Sequence, residues 1–112
     1  MEGPSIHVQE EILLAKQSRA EGNEGRARVC ARRAAGTAAG QFLIEQGVGD
    51  AEDNAVQSLI RLSTMDSLPD RVQIAARWLV MRVDESNNLP PKVDLIEEAG
   101  VVIRYVEAAS EH

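Results

Sequence analysis

Apolar residues recur at three- and four-residue intervals along most of the chain, and the intervals break only at short polar or glycine- and proline-bearing segments. That period predicts helices rather than strands. Val8, Ile12 and Ala15 share one face beside Leu13 and Leu14, with Pro4-Ser5 as a start and Glu21-Gly22 as a stop. Asn23 can cap a second helix, because its side-chain oxygen accepts from amides the first turn leaves unpaired. A tight antiparallel hairpin is expected there.

No proline interrupts the run from Gly22 to Gly47. Within it Ala27, Cys30, Ala31, Ala34, Ala38 and Phe42 form one apolar stripe, and Val29, Gly36, Gly40 and Leu43 form another on a different side. Two stripes imply neighbours on two sides, so this segment is predicted to be the central helix. Gly36 and Gly40 each lower helix propensity by about 1 kcal/mol relative to Ala. That loss makes sense where a neighbouring backbone comes close.

Gly47-Val48-Gly49 ends the central helix, and Asp50 is expected to cap a third one that turns Val56, Leu59 and Ile60 to the core and stops near Thr64 to Asp66. Ser67-Leu68-Pro69-Asp70 matches a Ser-x-x-Asp capping pattern with proline in the first turn. The fourth helix places Val72, Ala75, Ala76, Leu79 and Val83 on one face, while Ile74, Trp78 and Met81 widen the apolar surface. Asp84 to Asn88 followed by Leu89-Pro90-Pro91 cannot continue it. A last helix from Lys92 to about Ala109 carries Val93, Ile96, Gly100, Ile103 and Val106. No repeat or linker divides the chain, so the expected architecture is a single all-α domain, an up-and-down bundle of about five helices.

Composition sharpens this picture. The 112 residues suit one domain. Aromatics are only 3% of them, so the core must be Leu, Ile, Val and Ala on closely packed helices. The net charge of −6 opposes general affinity for nucleic acid or anionic lipid. Five of the twelve basic residues nevertheless lie between Arg19 and Arg33, and no Asp or Glu occurs from Arg26 through Ile44. A single cysteine, an N-terminus unlike a signal peptide and no long apolar run together predict a cytoplasmic chain that does not enter the membrane.

Candidate chemistry is sparse. His7 and His112 are the two histidines, one near each end, which suits surface residues better than metal ligands or proton carriers. Cys30 sits in the alanine stripe as a small buried thiol. The acids Asp50, Glu52, Asp53 and Asp94 are explained by first helical turns, which favour negative charge. Glu-x-x-His pairs, phosphate-binding glycine loops and dinucleotide fingerprints do not occur, so no cofactor and no metal are expected. The arginines remain. Arg28 and Arg32 lie one turn apart, while Arg26 and Arg33 share a different side, so the four flank the core stripe. They are either solvated helix edges or a site for phosphate or an acidic partner.

Several segments together resemble the HEPN superfamily of helical nucleotide-binding domains: Ile12-Leu13-Leu14-Ala15-Lys16, the Gly22-Asn23 break, the arginine- and alanine-rich helix, and the run Asn54 to Leu62 leading to another helix pair. Active members are metal-independent ribonucleases with an Arg-x4–6-His pair near the end of a late helix. The nearest counterpart here is Arg82 to Asn87, and Asn87 cannot exchange a proton near neutral pH. The resemblance thus implies a non-enzymatic module that forms a homodimer and binds a protein or a nucleotide, with a nucleotidyltransferase-like protein as an expected partner. Trp78 and Met81 are the candidate interface residues. The alternative is an RNA-binding or degenerate ribonuclease role for Arg26, Arg28, Arg32, Arg33 and Arg82, with Asn87 in the histidine position.

Overall fold

Alanine decides how closely the helices approach. Ala27, Ala31, Ala34, Ala35, Ala38 and Ala39 are all buried along one long helix, the spine of the fold. The computed structural model describes residues 6–81 and 93–110, and these form α1 (Ile6–Ala20), α2 (Glu24–Glu45), α3 (Ala55–Ser63), α4 (Asp70–Val80) and α5 (Leu95–Ser110). No strand occurs among the described residues, so the protein is an all-α helical bundle. Val83, the polar segment that follows it, Arg82, Asn87 and His112 lie outside the described residues.

α1 and α2 form the expected hairpin. Gly22 takes φ +83°, with the Gly22 amide donating to the Arg19 carbonyl at 3.0 Å and the Asn23 amide to Ser18 at 2.8 Å. This left-handed close satisfies the last carbonyls of α1. Asn23 then caps α2, its side chain accepting from the Arg26 amide at 3.1 Å. The same device ends α2, where Gly47 takes φ +79° and Val48 donates back to Leu43 at 3.0 Å.

The chain next doubles back along α2. A Cβ added to Gly36 would overlap the Cβ of Ala55 and lie 2.6 Å from its Cα, and one added to Gly40 would lie 3.1 Å from the Ser58 hydroxyl. Contacts therefore advance in the same sense on both helices, and the glycine positions mark the close backbone approach that the sequence predicts. α5 packs on another side of α2, with Phe42 and Tyr105 edge to face at 5.9 Å. α4 joins α3 to α5, whereas α1 and α5 barely touch although both lie on α2. Leu43, Leu59, Leu62, Leu79 and Leu95 are fully buried where these helices meet. Each contributes roughly 1.5–3 kcal/mol by leaving water.

Several expectations are corrected. Asn54, not Asp50, caps α3, in a reciprocal box with Gln57. Asp50 instead accepts from the Glu52 amide within the preceding turn. α3 is short and turns Leu59 and Leu62 inward, so Val56 and Ile60 are exposed. Ser67 does not cap α4, whose N-cap is Pro69 with no side-chain bond. Gln73 takes up the local carbonyls, donating to Met65 at 2.5 Å. Val29 is 43% exposed, because α1 and α5 meet α2 along the alanine faces instead. On α5 the inward face is Leu95, Ala99, Val102, Ile103 and Val106, and Gly100 lies half-exposed beside it.

Candidate functional site

The arginines of α2 do not converge on one surface. Arg32 turns toward α4, where Nε donates to the Leu79 carbonyl at 2.5 Å and Nη2 to the Met81 carbonyl at 3.4 Å. These carbonyls lie at the end of α4, where no intrahelical amide follows to bond them. A guanidinium there completes the helix end and suits its dipole. Arg33 turns toward α1, with Nη1 3.4 Å from Glu11 Oε2. The other Glu11 oxygen is buried with no hydrogen bond. Arg28 stands one turn from Glu24, at 3.8 Å. Arg26 is exposed at the start of α2. Arg82 and Asn87 lie outside the described residues.

The densest charge site instead surrounds Arg19. Its Nε and Nη2 donate to the two Glu24 oxygens at 3.0 and 2.6 Å, and its Nη1 reaches both Asp94 oxygens at 3.0 and 2.9 Å. One planar cation thus ties the end of α1 to the start of α2 and the start of α5, the two-pronged geometry that suits guanidinium and carboxylate. The hydrogen bond to Glu24 foremost raises the Arg19 pKa above its ordinary value, with Asp94 adding to it and partial burial opposing. The same bond lowers the Glu24 carboxyl. Asp94 is also the cap of α5, accepting from the Ile96 amide at 3.0 Å. A second fork joins Arg71 of α4 to Glu98 of α5 at 2.7 and 3.0 Å and raises the Arg71 pKa, chiefly through that hydrogen bond.

Between α1 and α5 the surface falls into a groove, because each helix packs mainly on α2 and barely touches the other. It comprises two adjoining depressions of about 560 and 340 Å³ that share Ile12, Lys16, Ile103 and Glu107. Its lining is mixed, with Ile12 and Ile103 beside Lys16 and Glu107 where the two depressions join. Arg104 and Glu97 edge the larger depression, and Gly100 lies between them. Leu13, 56% exposed, borders the smaller. A trough that mixes apolar side chains with both signs of charge can hold a helix of another molecule.

Trp78 is half-buried and packs against the core, and Met81 is 42% exposed at the end of α4. Cys30 is buried. Among the described residues no group of His, Cys, Asp and Glu is placed to hold a metal ion, and no helix is long and apolar enough to cross a membrane. Sequence reasoning missed the groove, since Ile12, Ile96 and Ile103 read equally well as core. It also missed the Arg19 fork, although the first-turn position of Asp94 was a signal for half of it. Comparison with known protein families, characterised proteins and solved structures gives no significant match.

Proposed function

We propose that this chain is a non-enzymatic, HEPN-like helical module that works by association, pairing with a second copy of itself and binding a protein partner or nucleotide. The observation that carries this reading is the open α1–α5 groove, whose mixed lining of apolar side chains and both signs of charge offers a docking surface. A nucleotidyltransferase-like protein is the partner that the family resemblance suggests, and a cytoplasmic setting goes with it. The RNA-binding alternative draws less support, because Arg28 and Arg33 face carboxylates and Arg32 faces carbonyls within the same chain.

The test is the mass of the protein in solution, measured by light scattering at micromolar concentration, together with thermal stabilisation by a panel of nucleotides. A dimer, or a melting shift with one nucleotide, supports association. A strict monomer that no nucleotide stabilises and that fails to bind a nucleotidyltransferase-like protein overturns it.

A further inference from the structure

Gly100 stands in the middle of α5 without an intramolecular reason among the described residues. The three atoms nearest a Cβ built there all belong to the Arg104 guanidinium, the closest being Nη1 at 3.0 Å, the far end of a flexible side chain. Gly36 and Gly40 differ, since α3 presses on both. A glycine inside a helix is disfavoured relative to alanine, and on an open face the remaining use of bare backbone is close approach by another helix.

The charges beside Gly100 select which helix. Glu97 and Arg104 stand about one turn before and one turn after it, both exposed on the outward side of α5 and both edging the groove. Neither forms an ion pair among the described residues. Glu97 adds only a through-space attraction to Arg71. Two helical turns separate Glu97 from Arg104, roughly 10 Å of rise, so they do not pair with each other.

We propose that α5 packs antiparallel against α5 of a second copy, with the two-fold axis passing between Gly100 and Val101. That axis sets Glu97 of each copy against Arg104 of the other, and places Gly100 of each beside Val101 of the other. The surface is self-complementary, as an isologous contact requires. Ile96 and Val101, with Ile12 across the groove, supply the apolar area around the two ion pairs. The proposal rests on the reading of this chain as self-associating and names the face that does it.

The experiment is sedimentation velocity over a concentration series on the wild-type chain, Glu97→Lys, Arg104→Glu and the double swap, each checked for helix content by circular dichroism. Each single change turns two attractive pairs into two repulsive ones, so the dimer Kd is expected to rise about tenfold or more, equal to ~1.4 kcal/mol. The double swap restores opposite charges across the axis and returns the Kd toward wild type. Gly100→Ala, whose Cβ meets the movable Arg104 tip first, weakens the dimer and keeps the fold. A wild-type dimer that ignores the single changes, or that the double swap fails to restore, overturns this interface and leaves self-association standing. A wild-type chain that stays monomeric to about 1 mM overturns both.

Discussion

The close approach of α2 and α3 makes Gly36→Ala the sharpest test of the fold. The added Cβ overlaps the Cβ of Ala55 and comes within 2.6 Å of its Cα and 2.9 Å of its carbonyl oxygen. Comfortable carbon contacts lie near 3.5–4.0 Å, so α3 has to retreat by about 1 Å. Backbone cannot swing aside as a side-chain tip can, and a retreat of α3 loosens Leu59 and Leu62, which are fully buried. Overpacking of this kind costs about 1–3 kcal/mol. Alanine recovers up to ~1 kcal/mol through helix propensity, so, with backbone contacts placing the overpacking cost in the upper half of its range, the net destabilisation is expected at up to ~2 kcal/mol. Urea unfolding followed by circular dichroism gives the value directly, as a lower midpoint at unchanged slope. Gly100→Ala, measured below the concentration at which the chain dimerises, is the internal control, since the nearest intramolecular obstacle is the movable Arg104 tip. A Gly36→Ala protein at least as stable as the wild type would refute the argument that backbone proximity fixes this glycine.

Asn54→Ala removes the side-chain half of the α3 capping box, leaving only the residue-54 amide donating to Gln57, and is expected to lower stability by ~1 kcal/mol in the same urea assay. Arg32→Met keeps much of the alkyl packing but leaves the Leu79 and Met81 carbonyls without their donor. Faster hydrogen exchange at the C-terminal amides of α4, with a loss of about 1 kcal/mol, is the expected result. Glu24 titrates below its ordinary value because of Arg19. Its contribution is therefore present at neutral pH and lost as acidity rises through the lowered pKa, and Arg19→Gln should flatten the fall of stability below the ordinary carboxylate range. The Glu24 side chain is 43% exposed, so the difference is expected to stay under about 1 kcal/mol. Replacing Arg26, Arg28 and Arg33 together by Gln should leave self-association unchanged in light scattering.

Much of the architecture was legible because the long-period signals were unambiguous. Asn23, Gly22 and Gly47 mark the ends of α1 and α2, and the alanines along α2 announce a helix enclosed by others. The misreadings arose where local pattern and tertiary packing disagree. Val56 and Ile60 look as apolar as Leu59, and only the placement of α3 across Gly36 and Gly40 decides which of them turn inward. Ser67 fits a capping pattern, yet Pro69 takes the cap position of α4. The arginines were visible as a cluster in sequence and dispersed in space, because Arg28, Arg32 and Arg33 each reach a different neighbour. A groove is not written in any one segment. It exists because α1 and α5, far apart in the chain, choose separate flanks of α2.

The fork at Arg19 bears on the order in which the molecule assembles. Glu24 is five residues away and Asp94 seventy-five, so the first half can close within the nascent hairpin while the second awaits the arrival of the last helix. Contacts of such long sequence separation form late, after most chain entropy has been surrendered. Asp94→Asn should then hasten unfolding while leaving the refolding rate nearly untouched, which makes this carboxylate a latch on kinetic lifetime more than a guide to the pathway.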